Sequence, residues 1–419
     1  MATRARHLST PALNLREAIT GGRALSLGGV DGWLLTDIAA LCAFGLVMVY
    51  SASEALGYLW FENANYFFER QVLSLALGVV MLVILARTDY HRLRRVTPVL
   101  ALCLVALLIL VLVPHIGSAA NGAQRWFTIG SFSLQPSAIA ILAAILFFSK
   151  WLVDRAPAVR TVRGVRDYGL LVGALLGLVL LERDMGSTII VTGTALVLLA
   201  LAGVRKRHLI VLTAVVAVVG YLLITMVAYR SSRLTTFTHP CDDPLNTGFQ
   251  ACQALYAMGT GGLGGAGLGN SVQKYQWLPE AHTDFIFAII GEELGLVGTA
   301  SVVLAFTLLV WRGIRASLRA PDAYGALLAG GITAWIGIQA FVNIGAVTGV
   351  IPTTGIPLPF ISYGGTSLIV TLAGVGILCN VSAQGRRQGA TARAHVDRRR
   401  RDGWAPDPRP GVGAGAAPG

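Results

Sequence analysis

The stretch LPEAHTDFIFAIIGEELGLVGTASVVLAFTLLVW, Leu278 to Trp311, decides how the rest of the chain is read. From Asp284 to Trp311 it offers 28 residues without a lysine or arginine, and its only charges are the carboxylates of Asp284, Glu292 and Glu293. A hydrocarbon core about 30 Å thick needs about 20 mostly apolar residues per helix, so a run of this kind crosses a membrane. A carboxylate inside it is costly. It faces protein or trapped water, and marks either function or helix packing.

The rest of the chain has the same character. Hydrophobic residues make up 54% of it and charged residues only 13%, the composition of a chain whose solvent is mostly lipid. The expected fold class is an all-α polytopic membrane protein. A ten-helix membrane domain at 33–384 lies between polar tails at 1–32 and 385–419. The ten apolar runs are 33–53, 69–86, 96–114, 133–153, 167–182, 187–204, 208–229, 284–311, 323–349 and 366–384. The fifth is the weakest, because Glu182, Arg183 and Asp184 leave almost no loop before the sixth. The first 32 residues are polar, Gly-rich and basic, so no cleavable signal peptide is expected.

Orientation follows from the basic residues. Of 33 lysines and arginines, 27 fall in alternate segments that include both tails. The other six are Arg70, Arg125, Arg183, Arg230, Arg233 and Lys274. By the positive-inside rule, the 27 and both termini are cytoplasmic. The net charge of +12 then reads as a topology signal, and no nucleic-acid partner is expected. The tail at 385–419 is basic and then rich in Pro, Gly and Ala. It is expected to be disordered, drawn to anionic membrane lipid or docked on a cytoplasmic partner.

The segments that carry chemistry (121–137, 182–186, 230–284 and 350–367) all fall on the outer side. Nucleotides are scarce there and the chain has no GxxxxGK[ST] motif, so no nucleotide cofactor is expected. The loop at 230–283 is 54 residues long, a length that is usually functional or disordered. Its core GTGGLGGAGLGNS, Gly259 to Ser271, follows no strand, so a Rossmann phosphate cradle does not fit. Flexible backbone bending close to the membrane or a lipid headgroup is the better reading. Cys241 and Cys252 are eleven positions apart in this oxidising location and form either a disulfide or two free thiols. Cys42, Cys103 and Cys379, inside apolar runs, read as inert small hydrophobes.

Asp284 opens the eighth run near the outer interface, with Lys274, Glu280, His282 and Thr283 just before it. Two readings stay open at this point. The carboxylate takes a proton from a sugar hydroxyl or holds a divalent cation (Mg²⁺ or Mn²⁺) against a phosphate, or it caps the helix. At about 100° per residue, Glu292 lies roughly 80° around from Asp284 and about 12 Å deeper, with Glu293 on the opposite side. Those two read as structural, pairing with other helices. NGAQRWFTIGSFSLQPS, Asn121 to Ser137, offers Arg125 and Trp126, suited to phosphate and sugar-face contact or to interfacial anchoring. IPTTGIPLPFISYGGTS, Ile351 to Ser367, has three prolines and reads as irregular backbone, tolerated at membrane depth where it is buried or lines a cavity.

NGAQRW, QPS, YRSSRLTTF, GLGNSVQKYQWLPEAHTDFIFAIIGEELG and LPFISYGGTS, in this order, resemble the SEDS family (shape, elongation, division and sporulation proteins). The similarity runs from Asp37 to Asn380, and MVYSAS, LPEAHTDFIFA and ISYGGTS are closer to division members than to elongation members. The resemblance implies a peptidoglycan glycosyltransferase in the plasma membrane of a bacterium, at the division septum. Such an enzyme joins the disaccharide units of lipid II (undecaprenyl-pyrophosphate-linked disaccharide peptide) through β-1,4 bonds and releases undecaprenyl pyrophosphate. A class B penicillin-binding protein transpeptidase and other division proteins are the implied partners. Asp284 matches the family's essential aspartate and Trp126 the tryptophan of its NGxRRW segment. The implied substrate contacts are Arg125, Trp126, Lys274, Glu280, His282, Thr283, Ser362, Tyr363, Gly364 and Gly365.

The chain departs from the family at Ala138 and Ile141, where a Glu and a Lys are usual, and at Thr354, where a Lys is common. Residues three apart on a helix are neighbours, so the acid-base pair is lost as a unit. Two competing expectations are a lipid II flippase, which Glu292 and Glu293 would suit, and a catalytically silent scaffold for the penicillin-binding protein. Chemistry gathered on one face favours the enzyme.

Overall fold

The computed structural model describes residues 31–113, 117–120, 123–129, 132–226, 237, 240–243 and 248–402. Arg230, Arg233, residues 1–30 and residues 403–419 lie outside them. The elements in chain order are α1 (Gly32–Phe61), α2 (Tyr66–Arg87), α3 (Tyr90–Val111), a three-stranded antiparallel sheet of β1 (Ser118–Ala120), β2 (Ala123–Ile129) and β3 (Phe132–Leu134), then α4 (Pro136–Asp154), the four-residue α5 (Ala156–Val159), α6 (Val162–Leu181), α7 (Met185–Leu201), α8 (Lys206–Thr225), α9 (Phe249–Gly261), α10 (Ile286–Leu318), α11 (Ala323–Val347) and α12 (Gly365–Asp402).

Carboxylates start three of these helices, each accepting an amide that the first turn leaves without a partner. Asp89 accepts from His91 N at 3.1 Å, Asp184 from Ser187 N at 3.0 Å and Asp322 from Gly325 N at 2.6 Å. Pro136 opens α4, where its missing N–H costs nothing.

Among the described residues, eight helices are long and apolar enough to cross a membrane: α1, α2, α3, α4, α6, α10, α11 and the Gly365–Gln388 part of α12. Met185–Leu201 is apolar but shorter, at 17 residues. The protein is a mostly helical, multi-pass membrane protein. α4, α11 and α12 form its centre, whereas α2, α3 and α8 present Leu73, Val80, Leu102, Ile210 and Val215 outward. Continuous exposed apolar surface of this kind is what lipid covers.

The structure changes three readings. The eighth span is not one helix from Asp284: α10 begins at Ile286 and breaks at Gly295, whose φ of 63° and ψ of −158° belong to glycine. Ile286 to Ile290 are at most 1% exposed, so the first segment is enclosed by protein, whereas Leu296 and Val297 beyond the break face outward. The glycine-rich stretch is what meets the break. Ala266 N donates to Glu292 O at 2.9 Å, Gly267 N to Glu293 O at 3.0 Å and Leu296 N to Gly262 O at 2.9 Å. Two irregular backbones thus satisfy each other at membrane depth, at a separation only glycine permits: a Cβ on Gly295 would lie 2.5 Å from Gly265 N. Finally, the small sheet at 118–134 adds strand to a chain read as all helix, and α12 runs on to Asp402, past the boundary at 384.

Cys241 and Cys252 are joined, with Cα atoms 5.1 Å apart. The bridge ties the start of α9 to the loop before it. Ala138 and Ile141 are both buried in α4, so apolar packing fills the place of the family's acid-base pair.

Candidate functional site

Four segments meet at one end of the bundle: the sheet, the α6–α7 turn, the turn before α10 and the irregular stretch 351–364. Arg125 on β2 donates through Nε to Glu182 O at 3.1 Å and through a terminal nitrogen to Arg183 O. Asp184 accepts from Ser137 at 2.8 Å, Ser187 at 2.8 Å and Gln135 at 3.2 Å, which locks the turn to the start of α4. Thr366 donates to Ser133 O at 2.8 Å and accepts from Gln135 N at 3.2 Å, which joins α12 to the sheet.

Asn343 on α11 donates through one amide nitrogen to Asp284 O at 2.7 Å and Ile356 O at 2.6 Å. One turn earlier Gln339 donates to Pro357 O at 2.9 Å. These two amides satisfy carbonyls that the irregular backbone leaves open, and they set Asp284 against the irregular segment 353–357. The cap position of α10 falls on Phe285, one residue after Asp284. The Asp284 side chain is half-buried, and a Cβ on exposed Gly355 would sit 3.4 Å from its Oδ2.

Around Asp284 the other expected residues divide. Glu280 is exposed, with φ of 56°, and accepts from the Thr283 hydroxyl at 2.7 Å, so the pair shapes the turn. His282 is packed between Phe67 and Tyr363, ring centroids 4.6 and 5.5 Å away, and its carbonyl accepts from Tyr363 N at 2.9 Å. Burial pushes its imidazole down to about 4 against the opposing pull of Glu280, so it is neutral at physiological pH. Ser362 is buried and its hydroxyl accepts from Leu358 N at 2.8 Å, whereas Tyr363, Gly364 and Gly365 are only half-buried. Trp126 is half-buried beside Arg125.

Lys274 is not at the site's surface. It is 2% exposed, donates to Gly269 O at 2.7 Å and lies 3.5 Å from Glu293, which also accepts from Ser51 at 2.7 Å. Glu292 accepts from Val272 N at 2.9 Å and from the Ser271 hydroxyl. Helical spacing sets Glu292 and Glu293 on different faces, pairing with other helices; residues 269–274 fold across both carboxylates, which hold that loop down. Lys274 is thereby withdrawn from the substrate contacts expected of it, because its charge is spent on a buried partner.

Three polar residues were not singled out from sequence. Gln339 and Asn343 are described above, and Gln71 on α2 donates to Ser362 O at 3.0 Å and accepts from Gly364 N at 3.3 Å. Each is an amide inside an apolar run, which is the signal that would have found it.

Among the described residues no group of three or more His, Cys, Asp and Glu side chains gathers to hold a metal ion. Mg²⁺ seldom needs such a cage, since it is commonly held by one or two carboxylates, waters and substrate phosphates.

Residues 32–387 match the family model described as cell cycle protein, that of FtsW, RodA and SpoVE. The chain is 44% identical over 353 residues to a probable peptidoglycan glycosyltransferase FtsW of Geobacter metallireducens, covering 84% of this chain and 94% of that one. It is 42% identical over 349 residues to the stage V sporulation protein E of Bacillus subtilis, covering 83% and 95%. A solved peptidoglycan synthase complex, described as coordinating polymerization and crosslinking, contains a chain with a TM-score of 0.71 and 30% identity, over 85% of this chain and 98% of that one. The rod shape determining protein RodA of Thermus thermophilus gives a TM-score of 0.63 and 29% identity, over 84% and 96%. The chain belongs to the FtsW, RodA and SpoVE family of cell cycle proteins, the SEDS family its motifs resemble.

Proposed function

We infer that this protein is a peptidoglycan glycosyltransferase that polymerises lipid II into β-1,4 glycan strands. The observation that carries the assignment of chemistry to a residue is Asp284: a half-buried carboxylate facing an exposed glycine, where four segments converge. In the proposed step the acceptor 4-hydroxyl oxygen attacks the donor's anomeric carbon. The bond from that carbon to the pyrophosphate oxygen breaks, the configuration inverts, and Asp284 takes the hydroxyl proton. Arg125, whose five N–H donors are not all used on Glu182 and Arg183, faces the departing pyrophosphate. Trp126 offers an indole face to a sugar ring. A Mg²⁺ or Mn²⁺ ion, where one takes part, would bind Asp284 and the pyrophosphate and supply charge neutralisation.

Ten crossings result when Met185–Leu201 and Lys206–Thr225 join the eight longer helices, with both termini in the cytoplasm by the positive-inside rule. The resemblance to division members points to the septum and to a class B penicillin-binding protein as partner. The relative found in a complex that couples polymerization to crosslinking supports that pairing.

The test is purified protein with its partner and labelled lipid II, with glycan strands read on a gel. Loss of strands in Asp284→Asn supports the assignment, and full activity removes Asp284 from the chemistry.

A further inference from the structure

The opposite end of the bundle holds a second site that the polymerase chemistry does not use. Asp31, just before α1, Arg312, Arg315 and Arg319 at the end of α10, and Ser382 and Arg386 on α12 line one cleft. Arg312 and Arg386 approach the single carboxylate of Asp31 at 3.4 and 2.7 Å. Four guanidiniums thus line one cleft, two of them on the single carboxylate of Asp31, and the Nε of Arg312 is buried with no partner. Two of the arginines also lie on aromatic faces: Arg315 is 4.2 Å and Arg312 4.9 Å from the Trp311 ring centroid.

Topology and the negative end of the helix dipole explain Arg315 and Arg319 on α10. They do not explain why Arg386 is brought in from another helix. Gly385 lies against the Arg319 carbonyl, so α12 and α10 touch there and the like charges are held close. Such a cluster is stable only beside an anion, and guanidinium forks match phosphate oxygens two at a time. Nearby, Trp33, whose ring centroid lies 5.9 Å from the Arg312 guanidinium, is 66% exposed, and Leu318, next to Arg319 in sequence, is 79% exposed, an interfacial aromatic and an aliphatic suited to a glycerol backbone and acyl chain.

We propose that this cleft binds the phosphodiester headgroup of an anionic phospholipid of the adjoining leaflet. A basic pocket between membrane helices is suited to that chemistry. The proposal goes beyond the polymerase assignment and does not depend on it, since no residue of the outer site takes part.

Native mass spectrometry of the delipidated full chain, offered equal phosphatidylglycerol and phosphatidylcholine in neutral detergent, tests it. The unaltered protein should retain phosphatidylglycerol selectively. Arg315→Gln with Arg319→Gln should lower that retention about tenfold, and Arg315→Lys with Arg319→Lys should recover part of it. Thermal unfolding without lipid checks that both variants fold, and phosphatidylglycerol should raise the unfolding temperature most for the unaltered protein, less for the lysine variant and least for the glutamine variant. Equal retention by the glutamine variant overturns the proposal, as does absence of selectivity in the unaltered protein. Displacement of the lipid by excess inorganic phosphate overturns the lipid source and leaves a soluble-phosphate site.

Discussion

Asp284 and Glu293 lie nine positions apart in one stretch, yet the molecule treats them as opposites. Glu293 is fully buried, accepts from Ser51 and the Ser271 amide and faces Lys274. Asp284 is half-buried at the mouth of the bundle, held by its backbone carbonyl through Asn343. A carboxylate ringed by donors in a dry interior has its geometry settled. One positioned by its backbone at the mouth of the bundle, against an exposed glycine, is the candidate to meet a substrate. The same residue chemistry thus divides into structure and reactivity according to what surrounds it.

Exchanging the charge at each site should break the molecule in different ways. Asp284→Asn should lower polymerisation by about 10²- to 10⁴-fold, the range for loss of a general base, while its unfolding temperature stays near that of the unaltered protein. Glu293→Gln should do the reverse. It leaves Lys274 buried without its counter-charge, an effect of about 3–5 kcal/mol, read as a large fall in thermal stability. Adding Lys274→Met should restore much of that stability, and polymerisation per folded molecule should then be close to normal. Activity that stays lost in the stable double variant would return Lys274 to the substrate site.

The sequence carried the membrane fold plainly, because spanning helices need long apolar runs and the basic residues alternate with them. It also singled out Asp284, by position and motif, as the candidate for the chemistry. What it hid was the break at Gly295. Helical spacing sets Glu292 and Glu293 on different faces, but it says nothing of a loop that reaches both carboxylates. The glycines of 261–267 read as flexibility, although their place is a close backbone contact with residues separated from them by about one helix length. Lys274 was misread for a related reason: nearness in sequence to Asp284 says nothing about which way the loop turns.

Glycines sharpen the comparison at the next level. A Cβ on Gly265 would collide with the Glu293 carbonyl oxygen, a backbone atom that cannot step aside. A Cβ on Gly355 meets only the Asp284 carboxylate, at 3.4 Å. Both glycines have positive φ, 81° and 71°, so each substitution also carries a backbone cost of about 1–2 kcal/mol. Gly265→Ala should therefore reduce the yield of folded protein. Gly355→Ala should fold and lose about tenfold in polymerisation, an effect of crowding at the reacting carboxylate. Size-exclusion profiles and the strand assay, run on both variants, separate the two outcomes.

The smallest effect is expected at Glu182, which stands between the two cases. It is 1% exposed, and both carboxylate oxygens are buried without a partner. Burial above all, and Asp184 beside it, push its carboxyl up to about 8 against the pull of Arg125. Its folded-state value is thus above the ordinary 4.5, so the folded protein holds it neutral while the unfolded chain ionises. Its stability contribution is undisturbed below about 4.5, falls as pH rises toward about 8, and levels off above that. Glu182→Gln removes the titration without removing the amide-sized side chain. The unfolding temperature of the unaltered protein should drop by a few degrees more than that of the variant between pH 6 and pH 8. Parallel curves would mean that Glu182 is already ionised in the folded protein, held by Arg125, and that it belongs with Glu293 as a satisfied structural charge.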